Sequence, residues 1–355
     1  MTTRARANLT AAVWGQTLLL ALLALCCADE ARAAQPPLPS ARAMNAPPPP
    51  PERSAAQWLE RLQRASRVPS YAGTFVVSSG VGGMASAHIW HVRDGNMQLE
   101  RVETLSGIPR AIFRRDDVVV TFLPRSRTVR TESDDYGTTA PNRFAVGAIG
   151  STAAFYAARQ VGDGRVAGFE ADIVQLTPRD GLRFGYRIWS EKRTGLALKT
   201  QTLDRAERVL EQAAFSELQF GAPINAAALR RMMERRQGYT VQKSGRLRTS
   251  AEAEGWRMKT PIAGFMPHGF YRRARALENG PAAQWIFSDG LATVSLFIEP
   301  FNAERHAREG AAVIGATHTL ARRRSLAGAD WWITAVGEVP ARTLQAFIDS
   351  LERRT

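Results

Sequence analysis

Between Tyr71 and Phe220 apolar and polar positions alternate with a period of two. Turn residues break the runs at Gly82-Gly83, Asp94-Gly95, Asp116-Asp117, Asp180-Gly181 and Thr194-Gly195. Alternation sends successive side chains to opposite faces, and turn residues at these spacings close short antiparallel connections, so this half predicts a meander of short strands. Phe75, Val77, Ile89, Leu99, Val118 to Leu123, Ile173 to Leu176, Phe184, Tyr186 and Ile188 supply its apolar positions. Two stretches read as helix instead. Ser54-Ala55-Ala56-Gln57 is a capping box ahead of Trp58, Leu59, Leu62 and Ala65, with Pro69 as the stop, and Ser151 caps a short segment running to Ala158. A long curved sheet with few helices must close, stack on a second sheet or lay those helices across one face.

Past Trp256 the pattern describes a smaller unit. Trp285-Ile286-Phe287-Ser288 and Val294 to Ile298 alternate around Asp289-Gly290, which predicts a hairpin with a two-residue type I′ turn and positive φ at both central positions. Trp331 to Val336 gives a further strand. Pro340 opens a helix with Leu344, Phe347, Ile348 and Leu351 on one face, which predicts a helix packed across that sheet. The fold class expected is therefore α+β, mainly antiparallel β, in two domains over residues 54–221 and 256–355. Residues 222–255 between them form a polar, basic linker carrying Arg230, Arg231, Arg235, Arg236, Lys243, Arg246 and Arg248, in which Ala226 to Arg236 can begin a helix that Gly238 and Gly245 do not let continue, and it reads as a partly disordered hinge.

Composition places the chain in a compartment. Residues 1–33 combine basic Arg4 and Arg6, an apolar run from Leu18 to Cys27 and the small-x-small site Ala31-Arg32-Ala33. This is the form of a Sec-type signal peptide, so the mature protein is expected to be soluble in the periplasm. The apolar run falls short of the roughly 20 residues a membrane span needs. Lipid attachment at Cys26 or Cys27 fits less well, because Leu25 and Cys26 are bulky for such a site. Both cysteines of the chain lie in this leader, so the mature chain is left without a disulfide or a thiol nucleophile. Residues 34–53 form a Pro-rich tether around Pro47 to Pro51. The formal charge of the 355-residue chain is +14, about +13 without the leader. Export turns that charge away from nucleic acid and toward anionic lipids, lipopolysaccharide phosphates or an acidic protein segment, unless dispersed arginine is only a compositional habit.

The residues offer little catalytic chemistry. His88 and His91, the one close histidine pair, point to opposite faces of any strand, so no metal is expected between them. A Gly-x-Ser-x-Gly nucleophile turn is missing. Gly162-Asp163-Gly164-Arg165-Val166-Ala167-Gly168 has one residue too many for a dinucleotide fingerprint and lies among strands, where it reads as a loop. No catalytic residue, metal or cofactor is assigned, and the chain is not expected to be an enzyme.

The C-terminal hairpin, Trp331-Trp332-Ile333-Thr334-Ala335-Val336-Gly337-Glu338-Val339-Pro340 and the turn Met266-Pro267-His268-Gly269-Phe270 resemble the C-terminal domain of the RseB/MucB family. Phe113 to Pro124 and Ile188 to Leu196 are similar to its N-terminal domain. The resemblance implies a LolA/LppX-like unclosed β-barrel over helices, followed by a smaller α+β domain. It implies a negative regulator of sigma-E (AlgU-type) envelope stress signalling, whose partner is the periplasmic segment of a membrane anti-sigma factor of the RseA/MucA type. That segment is shielded from site-1 proteolysis until a lipopolysaccharide or lipoprotein acyl chain enters an apolar cavity. Phe75, Val77, Phe122, Phe155 and Tyr156 are the candidates for that cavity, and each could equally be filled core. Arg322, Arg323, Arg324, Trp331 and Trp332 are the candidates for partner binding, although internal packing of the two tryptophans is the simpler reading. The alternative function is a periplasmic lipid or lipoprotein carrier. The sequence is compatible with a homodimer.

Overall fold

In the computed structural model the described residues are 53–80, 82–133, 149–243, 246–273, 282–306 and 308–354. The leader and all of the tether except Arg53 lie outside them. Helix α1 (Ala55–Arg64) starts as the capping box requires: Ser54 accepts from the Gln57 backbone while Gln57 Oε1 accepts from the Ser54 backbone at 2.8 Å. Its apolar stripe buries Trp58, Leu59 and Leu62.

Six strands follow as one meander: β1 (Ser70–Ser79), β2 (Met84–Asp94), β3 (Met97–Thr104), β4 (Ala111–Arg115), β5 (Val118–Leu123) and β6 (Thr128–Ser133). The predicted second helix is shorter than its pattern suggested. Helix α2 (Ile149–Ala154) contains Ser151 inside it, and the chain turns at Phe155 into β7 (Tyr156–Val166). Of Gly162 to Gly168, read as a loop, the part through Val166 is the second half of that strand, bulged between Gln160 and Gly162. Strands β8 (Phe169–Pro178), β9 (Gly185–Glu191), β10 (Ala197–Leu203) and β11 (Val209–Phe220) complete a second meander. Pairing of β1 with β11 joins the two.

The hinge expected over 222–255 is largely built structure. Helix α3 (Ala226–Glu234), capped by Asn225 on the Ala228 backbone, lays Leu229 and Met233 onto the first meander beside Val92, Leu99, Phe113, Val120 and Val129. Strand β12 (Thr240–Lys243) adds to β6 in parallel, and β13 (Arg246–Thr249) already belongs to the next domain. The helix expected to begin at Ala226 therefore forms and also packs, because two apolar positions four residues apart are enough for one helical face. The resulting twelve-stranded sheet runs β12-β6-β5-β4-β3-β2-β1-β11-β10-β9-β8-β7 and does not close. Phe75, Ile89 and Val102 of one meander meet Leu196, Leu198 and Phe215 of the other in a single cluster, so the sheet curls over its own apolar side chains.

The C-terminal domain contains β14 (Trp256–Met258), β15 (Met266–Arg273), β16 (Ala282–Ser288), β17 (Thr293–Pro300), β18 (Gly310–Ile314), β19 (Thr317–Leu326), β20 (Ala329–Gly337), α4 (Ala341–Ser350) and β21 (Leu351–Arg353). Its main sheet is ordered β13-β15-β16-β17-β20-β19-β18. Met266 to Phe270 starts β15, with a register shift between Pro267 and Gly269. Helix α4 packs as predicted, with Leu344, Phe347 and Ile348 fully buried against Phe287, Leu296, Ile333 and Ala335, while Leu351, expected on the same helical face, instead opens β21.

Candidate functional site

The hairpin between β16 and β17 is where the two domains meet. Ser288 pairs with Thr293, so the connection is a four-residue loop, Asp289-Gly290-Leu291-Ala292, and not the two-residue turn the dipeptide predicted. Only Gly290 has positive φ, +95°. The reason is the side chain of Asp289. Its Oδ1 accepts from the backbones of Leu291 at 2.9 Å and Ala292 at 2.7 Å, which holds the loop open by a local aspartate turn.

That folding leaves Oδ2 free to face the N-terminal domain. It accepts from Arg183 Nε at 2.6 Å and from the Tyr156 hydroxyl at 3.3 Å, while the Asp289 carbonyl accepts from Thr152 Oγ1 at 2.6 Å. Both side chains of the Arg183–Asp289 pair are 0% exposed. The rest of the guanidinium is also engaged: Nη1 with Asp180 and Nη2 with the Ala263 carbonyl at 2.5 Å. Its plane is sandwiched between the rings of Phe155, 4.3 Å away, and Phe265, 4.7 Å away, one from each domain. Desolvation on this scale costs several kcal/mol per ion, and it is offset here because each guanidinium nitrogen donates and each carboxylate oxygen of Asp289 accepts twice. Burial, reinforced by the Asp289 carboxylate, pushes the Tyr156 phenol well above its ordinary value, so it stays a donor. Beside this cluster Leu291 enters the apolar socket formed by Trp58, Leu59, Tyr156, Leu176 and Tyr186. Farther along the seam, Thr343 Oγ1 donates to the Leu182 carbonyl at 2.8 Å. Arg183, Asp289, Thr152 and Leu291 were not anticipated as a group, and only the Asp289-Gly290 dipeptide marked the place.

The five cavity candidates do not converge. Phe75 and Val77 pack in the cluster shared by the two meanders. By register Phe75 aligns with Ala87 and then Thr104, whereas Phe122 aligns with Ala111, Glu103 and His88, so Phe75 and Phe122 project from opposite faces. Phe122 lies under α3, edge-on to Tyr239 at 5.4 Å. Phe155 and Tyr156 belong to the domain seam. His88 and His91 also separate as expected: His88 bonds Thr74, while His91 bonds Glu100 at 2.9 Å and stacks on Tyr71.

The partner candidates are tied into their own domain. Trp331 packs edge-on to Trp256 at 4.9 Å, with the Arg353 guanidinium 4.7 Å above it. Trp332 faces the other way, is 8% exposed and stacks on His306 at 4.8 Å. Arg322 pairs with Glu309, Arg323 pairs with Asp330 and covers Phe301, and Arg324 bonds Asp349 and the Ile348 carbonyl. Arg323, followed by Ser325, holds the Asp330 carboxyl below its usual range. Among the described residues no group of three or more His, Cys, Asp or Glu is placed to hold a metal, and no helix is long and apolar enough to cross a membrane.

Residues 54–233 match the MucB/RseB N-terminal domain family and residues 250–352 the MucB/RseB C-terminal domain family. The chain is 29% identical over 293 residues to the sigma factor AlgU regulatory protein MucB of Pseudomonas aeruginosa, spanning 82% of this chain and 88% of that protein. It is 22% identical over 306 residues to the sigma-E factor regulatory protein RseB of Escherichia coli K12, spanning 83% and 89%. Among solved structures it is similar to the Pseudomonas aeruginosa MucA/MucB complex, with a TM-score of 0.66 and 27% identity over 85% of this chain and 99% of that one. It is also similar to MucB in complex with MucA(peri), with a TM-score of 0.65 and 27% identity over 85% and 100%.

Proposed function

Because the chain belongs to the MucB/RseB family through both of its domains, we propose that it acts in the periplasm as a negative regulator of a sigma-E-type envelope stress response. It binds the periplasmic segment of a membrane anti-sigma factor and keeps the site-1 protease from it. The observation that carries this reading is the similarity, across 85% of the chain, to MucB solved in complex with MucA(peri). Such protection needs no reacting group. Cleavage falls in proportion to the fraction of substrate left unbound, so affinity alone sets the output.

Release then requires a ligand that favours a state with weaker grip. Taking the population from almost all competent to almost all released needs about 5.5 kcal/mol of differential binding. An envelope lipid or lipopolysaccharide can supply it at about 0.8 kcal/mol per buried CH₂, provided the packed cluster around Phe75, Phe215 and Leu198 opens to admit the chain. The test is a cleavage assay of the anti-sigma periplasmic segment by its protease. Saturating chain should suppress cleavage, and added lipopolysaccharide should restore it. Unchanged cleavage at saturating chain sinks the regulator reading, and suppression that lipopolysaccharide does not relieve sinks the proposed signal.

A further inference from the structure

A groove of about 700 Å³ runs along the seam, walled by the β8–β9 turn, the β10–β11 turn and the first turn of α4. Its charges are unevenly matched. The three carboxylates lining it are already engaged: Asp180 with Arg183, Asp204 with Arg208 and Glu207 with Arg187. Three further arginines, Arg179, Arg205 and Arg342, line the same groove, and none has a side-chain hydrogen bond or ion pair among the described residues. They come from three separate segments and from both domains. Arg342 reaches across the seam, its guanidinium lying against Gly181.

We infer that this groove binds a phosphate group, held by Arg179 and Arg205 of the N-terminal domain and Arg342 of the C-terminal domain. Three unmatched guanidiniums in one concavity repel one another, and a compact group carrying close to two negative charges relieves that repulsion best. The planar fork of arginine matches phosphate oxygens two at a time. The volume suits a head group of small-molecule size, and Leu176, Phe184, Leu203 and Pro340 among the walls give it an apolar flank. An acidic peptide carries its charge one carboxylate at a time over a longer span, and so fits less well. Because the site takes a residue from each domain, occupancy ties the domains together and raises the stability of the docked form by mass action. The inference does not depend on the chain holding an anti-sigma segment.

Calorimetry on the whole chain tests it with two probes, inorganic pyrophosphate and short-chain dihexanoyl phosphatidic acid. Binding of either should weaken about tenfold in each of Arg179→Gln, Arg205→Gln and Arg342→Gln, the loss expected for one charge-assisted contact. All three side chains are exposed, so the fold should tolerate these changes. Binding of both probes identifies the head group as sufficient, and binding of the phosphatidic acid alone identifies a lipid source. Either result supports the site when the variants weaken it. Arg125→Gln, an exposed arginine in another turn, should leave affinity unchanged; an equal loss there would mean that net charge alone attracts the probes and would overturn the inference. Failure of both probes to bind, or equal competition by a penta-glutamate peptide, overturns it as well.

Discussion

At the residue scale the decisive side chain is Asp289, which folds its own loop with one oxygen and joins the domains with the other. Asp289→Ala leaves the Arg183 guanidinium buried beside an empty partner position. The expected loss is about 3–5 kcal/mol in urea denaturation, as for breaking one side of a buried pair. Tyr156→Phe removes only a 3.3 Å hydrogen bond and should cost about 1 kcal/mol. Tyr156 carries a separate signature. Its folded pKa lies above the unfolded value of 10.0, so its contribution is fully present below pH 10 and is lost as pH rises beyond it. Stability measured from pH 9 to 11 should therefore fall less steeply in Tyr156→Phe than in the parent chain. Asp289 was legible as a turn residue because turn chemistry is local. Its pairing with Arg183, 106 positions earlier, was not legible, since a lone arginine in a polar turn carries no mark of burial.

At the element scale the hairpin loop behaves as a plug. Gly290→Ala is expected to eject it, because the new Cβ would stand 2.1 Å from Thr152 Oγ1 at a φ that L side chains avoid. Limited proteolysis should then cut near the loop, and two unfolding transitions should replace one as the domains uncouple. An unchanged single transition would show that the plug does not couple them. Helix α3 makes a second case. Leu229→Ala should cost about 2–4 kcal/mol by opening a cavity over Phe113 and Phe122, whereas the same change in a solvated linker would be silent. Helices α1 and α4 were readable because a cap or proline stands beside an unbroken apolar stripe. The start of helix α3 was also readable, but its burial was not, because only Leu229 and Met233 among its charged neighbours face the sheet.

At the scale of the whole molecule, the docked domains make truncation a poor way to separate regulation from lipid carriage. Ending the chain at Trp256 would remove Leu291 from its socket and Asp289 from Arg183, so a loss of binding could reflect damage to the N-terminal domain. Point changes in the plug avoid that confusion. Acid sensitivity also belongs to this scale. Burial lowers the pKa of both His88, on the first sheet, and His318, on the second. For His88 the nearby carboxylates Glu217 and Glu103 oppose that fall and Arg101 adds to it. Groups depressed in the folded state stabilise it above their unfolded pKa of 6.5 and lose that contribution as pH falls through the folded value. The urea midpoint should drop between pH 7.5 and pH 5, and a His88→Gln, His318→Gln double variant should flatten that slope.

Most strands and helices α1 and α4 were written in the chain, because period-two alternation, a capping box and turn residues act within a few positions, while the family was read from the resemblance of its motifs. The role of the Asp289-Gly290 loop follows from long-range folding. Its partners are Thr152, Tyr156 and Arg183, brought there by the order in which twelve strands curl. The same holds for the unmatched arginines of the groove. Burial and charge balance are properties of the assembled surfaces, and no local pattern records which arginine finds a carboxylate and which is left to face a ligand.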